Sequence, residues 1–238
     1  IEATGKPVVV VLVSGRPLAI PWLADHVAAI LDAWLPGDEG GNAVADLLFG
    51  NADPSGKLPM TFPYDVGQVP IYYAHLPNPR PLDMAHPEYT SHYTDAPNAP
   101  VYPFGYGLSY THFAFGPIHL DNQRLAPGGA LRVGVRVTNT GKRRGAEVVQ
   151  LYMHQLVADV SRPVRQLKGF QRITLDPGQS REVTFTLTLV DLAFHRADMS
   201  LGTEPGVIQI FVGGDSTATD SARFKLVTDK NPAAAAGG

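Results

Sequence analysis

Residues 131–141 read LRVGVRVTNTG, in which Leu131, Val133, Val135 and Val137 alternate with Arg132, Gly134, Arg136 and Thr138. A period of two marks a strand with one face against a core and the other toward water. The alternation returns in AEVVQLYMH (146–154), REVTFTLTL (181–189) and VIQIFVGG (207–214), separated by turn signals such as Pro177-Gly178. Short strands at this spacing predict an antiparallel two-sheet sandwich over residues 117–228, of the immunoglobulin or fibronectin kind.

Working outward, the pattern changes upstream. Val8–Val13 is a continuous apolar run, the signature of a strand buried on both faces of a parallel sheet, and Ala28–Leu35 reads as a second. Pro21 suits the first turn of a helical crossover between them. Gly41–Phe49 spaces Val44, Leu47 and Leu48 along one face of another helix. Residues 1–66 are therefore predicted as α/β, a partial parallel-sheet sandwich. Only two or three strands are supplied, and IEATGKP at the start reads as the end of a helix. A parallel sheet needs cover on both faces, so the chain is expected to begin inside a domain whose first half lies upstream.

Between the two modules, residues 67–116 are rich in proline, tyrosine and asparagine and carry no sustained period. They predict a long binding loop or linker. The alanine- and glycine-rich tail, 229–238, is of low complexity and expected to be disordered.

The 238 residues hold 44% hydrophobic content, enough for packed cores, and 19 basic against 22 acidic residues give a net charge of −3. With no basic block, nucleic acid and anionic membrane surfaces are disfavoured as partners, and an uncharged substrate fits better. No apolar run reaches the roughly 18 residues of a membrane span. The chain has no cysteine, which removes disulfides, thiolate catalysis and thiolate metal sites.

Candidate chemistry concentrates between Trp34 and Pro63. GNADPSGK (50–57) approaches a phosphate-binding loop, but five residues separate its glycines, Pro54 interrupts it, and Leu58 replaces the hydroxyl residue that would hold magnesium. It reads instead as a turn feeding a strand, KLPMTF. Asp38 and Glu39 follow a predicted strand and precede a predicted helix, which places them at the carboxyl end of the sheet, where open α/β folds bind ligands. They fit either helix capping or contact with substrate hydroxyls. Gly40 or Gly41 is expected to take a backbone conformation closed to other residues. A retaining glycosidase needs two carboxyl groups about 5 Å apart, which adjacent side chains do not guarantee. His86, Glu88 and His92 have no metal-ligand spacing and read as loop residues. Tyr72, Tyr73, Tyr89 and Tyr93 offer ring faces on which a sugar could stack.

KPVVVVLVSGRPLAI (6–20), AILDAWLPGDEGGNAVADLLFGNADPSGKLPMTFP (29–63), GQVPIYY, YTSHY, YPFGYGLSYTHF (102–113) and SRPVRQLKGFQRITLDPGQSREVTFTL (161–187) together resemble the C-terminal portion of bacterial β-glucosidases of glycoside hydrolase family three, most closely the periplasmic type. The resemblance spans Lys6 to about Val227. It implies a fibronectin-III-like second domain, a first domain that is the second half of an α/β sandwich, and an N-terminal (β/α) barrel upstream. It also implies hydrolysis of terminal β-D-glucosyl residues of short glucosides by a retaining mechanism, without metal or organic cofactor, in a periplasmic or secreted setting.

The family's nucleophile aspartate and acid/base glutamate precede every matched segment, so no catalytic residue is assigned to this chain. Asp38 and Glu39 match the family's glycine-rich turn and, with Tyr89, His92 and Tyr93, are carried as substrate-binding candidates. His92 stands where the family carries arginine, so an imidazole replaces a guanidinium there. The other reading is a non-catalytic carbohydrate-binding or interaction module using the tyrosines as its platform.

Overall fold

The alternating stretch becomes the middle strand of a three-stranded sheet, and its register explains the alternation. The computed structural model describes residues 2–227 apart from Leu82 and Met84; the tail at 229–238 lies outside the described residues. The first module holds β1 (Val9–Leu12), α1 (Pro21–His26), β2 (Ala29–Asp32) and α2 (Gly40–Leu48). β1 and β2 pair in parallel, Val9 against Ala29 through Leu12 against Asp32. Pro21 opens α1 at its first turn, where its missing N–H costs nothing because that group has no helical partner.

Neither strand is buried on both faces as expected. Val9, Val11 and Val13 are all exposed, and α2 has no buried residue, Phe49 beyond it being 83% exposed. Apolar strands of this composition are stable inside a sheet covered on two sides. Among the described residues that cover is missing.

The second module has the reverse character. Its strands are β3 (Phe113–Leu120), β4 (Arg124–Leu125), β5 (Leu131–Asn139), β6 (Gly145–Gln155), β7 (Gln166–Leu175) and β8 (Ser180–Leu187). A short helix, α3 (Leu189–Leu192), and a two-stranded ribbon of β9 (Phe194–His195) and β10 (Leu201–Gly202) lead to β11 (Gly206–Gly213) and β12 (Ser221–Leu226). One sheet runs β3-β5-β8 and the other β4-β12-β11-β6-β7. Between them lies a core that includes Leu131, Val133, Val135, Val149, Leu151, Ile173 and Ile210, all with 2% exposure or less. In β5 every second residue is buried, as period two requires.

β6 departs from that rule, because both of its faces are buried. Leu151 and Met153 enter the sandwich core, while Gln150 and Tyr152 are covered by the segment 53–110. Asp53 anchors this cover: its Oδ1 accepts from Tyr110 N at 2.8 Å and Ser109 Oγ at 2.9 Å, and its Oδ2 accepts from Ala146 N at 3.3 Å. Lys57 Nζ meets Glu147 Oε1 at 2.8 Å and donates to Gly107 O at 2.9 Å. Gln150 Nε2 donates to Gly105 O at 3.1 Å. Gly105 has φ 81 and lies so close to the Gln150 amide that any side chain would collide with it, so the approach requires glycine.

KLPMTF does not form the expected strand. Leu58 N donates to Tyr106 O at 2.8 Å and Phe62 N to Tyr102 O at 2.9 Å, but pairing reaches only one isolated bridge, Phe62 with Tyr102. Pro59, Pro63 and Pro103 lack the N–H donors that a continuous ladder needs.

Candidate functional site

Because β1 and β2 are parallel, both chains leave the sheet at the same edge. Ser14 N donates to Trp34 O at 3.1 Å, tying the two exits together. Trp34 takes φ 51, in the left-handed region that bulky residues rarely occupy and that often marks a functional turn. Its indole meets Phe62 edge-on at 6.0 Å. Asp32, the last residue of β2, holds this turn: its Oδ1 accepts from Trp34 N at 3.3 Å. Its other oxygen is buried with no hydrogen-bond partner among the described residues. Burial raises the Asp32 pKa above the ordinary carboxylate value, against the lowering effect of the Trp34 N–H. The sequence reading missed Asp32, whose one signal was its place as the only carboxylate within the second apolar run.

Asp38 and Glu39 stand on this same edge, both exposed, immediately before α2. Capping does not account for them. Glu39 occupies the N-cap position, yet no side-chain hydrogen bond caps the helix, and its Oε2 accepts from Asn42 Nδ2 at 2.6 Å instead. Gly40 is needed, but for space and not for an unusual backbone: a Cβ there would lie 2.5 Å from Pro36 Cβ. Gly41 has nothing within 4 Å of its Cβ direction, and neither glycine takes a positive φ, so the expected special backbone occurs at neither.

The aromatic candidates separate into two groups. Tyr89, on a single 3-10 turn, is exposed, as is His92, whose ring nitrogen reaches Thr90 Oγ1 at 3.2 Å. Tyr93 N donates to Asn98 Oδ1 at 3.2 Å while Asn98 Nδ2 donates to Ser91 O at 3.0 Å, so one amide pins the loop on both sides. The structure thus brings His92, Tyr93 and Asn98 together at the loop. Among the described residues, no hydrogen bond, ion pair or ring contact joins Tyr89, His92 or Tyr93 to Asp38 or Glu39.

Tyr73 is not free for a ligand. It stacks on Phe104 with centroids 4.2 Å apart, meets Tyr152 edge-on at 5.9 Å, and its hydroxyl accepts from Leu167 N at 3.4 Å. Its neighbour Tyr72 is 65% exposed. No group of three or more histidines and carboxylates able to hold a metal occurs among the described residues, and no helix there is long and apolar enough to cross a membrane.

Comparison with known proteins matches these two modules. Residues 1–110 match the glycosyl hydrolase family 3 C-terminal domain, and residues 147–216 match the fibronectin type III-like domain. The periplasmic beta-glucosidase of Salmonella typhimurium is 48% identical over 95% of this chain and 30% of its own length. A beta-xylosidase of Formosa agariphila is 46% identical over 92% of the chain and 30% of its own length. The solved beta-glucosidase from Listeria innocua in complex with glucose superposes with a TM-score of 0.90 at 41% identity, over 94% of this chain and 31% of that one. The chain spans about 30% of the length of the curated relatives it matches. With the α/β module, the fibronectin-like sandwich and their order all shared, the chain belongs to glycoside hydrolase family 3 as its C-terminal domain and fibronectin type III-like domain.

Proposed function

We propose that the chain works as part of a longer glycosidase that removes terminal β-D-glucosyl residues from short glucosides, with retention at the anomeric carbon. The observation that carries this reading is the 48% identity, over 95% of the chain, to a periplasmic beta-glucosidase more than three times as long. In a retaining mechanism one carboxylate attacks the anomeric carbon and displaces the aglycone, which a carboxylic acid protonates; the same acid, now a base, then activates the water that releases glucose. Both carboxyl groups are placed outside residues 1–238. The exposed valines of β1 and the open face of α2 fit a surface that the upstream half of the sandwich domain would cover.

Asp38 and Glu39 face solvent at the carboxyl edge of the sheet, which fits contact with sugar hydroxyls at the active-site entrance. Tyr89, His92 and Tyr93 fit the rim of that entrance through their exposed loop. The fibronectin-like sandwich serves as the platform that holds the loop. The compartment is periplasmic or secreted, in keeping with the relative from Salmonella typhimurium.

Positioning groups alone cannot replace covalent catalysis and proton transfer, each of which contributes orders of magnitude in rate. Purified residues 1–238 are therefore expected to show no turnover of an aryl β-glucoside. Extending the chain with the upstream sequence of its own gene is expected to give turnover. Activity of residues 1–238 that disappears in Asp38→Asn or Glu39→Gln would contradict the reading, as would an inactive but folded extended enzyme.

A further inference from the structure

Where the loop crosses the outer face of the five-stranded sheet, a cleft of about 260 Å³ remains open. This is slightly below the roughly 300 Å³ at which small-molecule sites usually begin, so it suits one ring and not an extended ligand. Tyr72 and Phe104 supply aromatic surface, and Thr61, His75, Asn98 and Thr217 supply hydroxyl, imidazole and amide groups. No carboxylate lines it.

Arg165 contributes to the wall. Its guanidinium lies 3.2 Å from the Phe211 ring centroid, and Nη2 donates to Ala218 O at 2.8 Å. Nη1 is buried without a hydrogen-bond partner among the described residues. Buried donors are nearly always satisfied, so a small rearrangement that offers Nη1 an oxygen atom is favoured.

We propose that this cleft binds one terminal hexosyl ring of a neutral oligosaccharide. A hexose has an apolar C–H face that the exposed Tyr72 ring can cover, hydroxyls that can both donate and accept at Thr61 and Asn98, and hydroxyls that can donate to Thr217 Oγ1, whose own proton goes to Asp215 Oδ1 at 2.6 Å. A sugar oxygen can also accept from Arg165. An anion fits less well, because Arg165 is the only full cation in the wall and Asp215 lies near enough to influence Tyr106 and Tyr152 behind it. The choice of sugar rests on the glycosidase reading; the cleft itself does not.

The test is titration of residues 1–238 with cellobiose and laminaribiose, followed by NMR, alongside Tyr72→Ala and Tyr72→Phe. Tyr72 is exposed, so both variants should keep the parent melting temperature. Saturable millimolar binding that weakens about tenfold in Tyr72→Ala, a loss of about 1.4 kcal/mol, and returns in Tyr72→Phe is the expected result. Absence of saturable binding, binding that Tyr72→Ala leaves unchanged, or inorganic phosphate displacing the sugar overturns the proposal. Hydrolysis by the extended enzyme is measured in parallel. Hydrolysis without cleft binding sinks this inference alone, whereas cleft binding without hydrolysis supports it and sinks the glycosidase reading.

Discussion

Residues 2–50 and residues 113–227 are both organised by sheets, yet only the second set closes around its own core. In the first, strands of four residues pair in parallel and leave Val9, Val11 and Val13 exposed. In the second, strands of up to eleven residues bury Leu131, Val133, Leu151 and Ile210 completely. Burial stabilises by about 25 cal/mol per Å² of apolar surface removed from water, so the same residue types contribute very differently in the two regions. The segment between them sides with the sandwich: Asp53, Lys57 and Gly105 bind it to the β6 face. The matched family domain, which runs to residue 110, thus includes a segment bonded to the sandwich.

The largest contrast is expected from truncating one apolar residue in each sheet. Leu151→Ala opens a cavity at the sandwich centre and should cost about 2–5 kcal/mol in urea unfolding. Val11→Ala, already solvated in part, should cost about 0.5 kcal/mol. Equal losses would mean that the two sheets are equally enclosed.

Tyr152 sharpens the comparison at the loop–sandwich contact. Its hydroxyl donates to Gln150 Oε1 at 2.5 Å, and Tyr152→Phe should cost about 1 kcal/mol by leaving that oxygen short of a partner. Burial first, and then the neighbouring Tyr73 and Asp215, push the Tyr152 pKa far above its ordinary 10.0, against Arg165. The folded state therefore holds the neutral phenol. The stability this contributes is complete below pH 10 and declines as the pH rises above it, because the unfolded phenol ionises first. Stability measured from pH 9 to 11 should fall less steeply in Tyr152→Phe, with a residual slope from Tyr102 and Tyr106, which burial shifts the same way. An unchanged slope would remove Tyr152 from the account.

Smaller effects separate the two glycines before α2. Gly40→Ala forces a methyl against Pro36 and should cost about 1–3 kcal/mol, whereas Gly41→Ala meets open space and should gain about 0.5–1 kcal/mol through helix propensity. Thermal melts of the two variants check this, and matching shifts would discard the Pro36 contact as the reason for glycine.

The alternation at 131–141 made the sandwich legible because the periodicity of a half-buried strand is local. The two-sided burial of β6 was hidden, since its outer cover comes from Gly105 and Tyr73, far away in sequence. Val8–Val13 announced a strand buried on both faces; it formed a strand, but burial depends on partners the run itself does not encode. At the site, adjacency correctly placed Asp38 and Glu39 on the carboxyl edge. It could not show that Glu39 turns to Asn42, that Tyr73 stacks on Phe104 while Tyr72 stays exposed, or that Asp32 keeps an oxygen without a partner among the described residues. Those facts follow from chain paths that meet only after folding.

Both tryptophans, Trp22 and Trp34, lie in residues 2–50, while the sandwich supplies most of the strand structure. Urea unfolding of residues 1–238, followed simultaneously by tryptophan fluorescence and far-ultraviolet circular dichroism, therefore reads the two regions separately. The fluorescence midpoint is expected at lower urea than the dichroism midpoint, because among the described residues nothing covers the first sheet. Coincident transitions would show one cooperative unit and contradict the account that residues 2–50 are held less firmly than the sandwich.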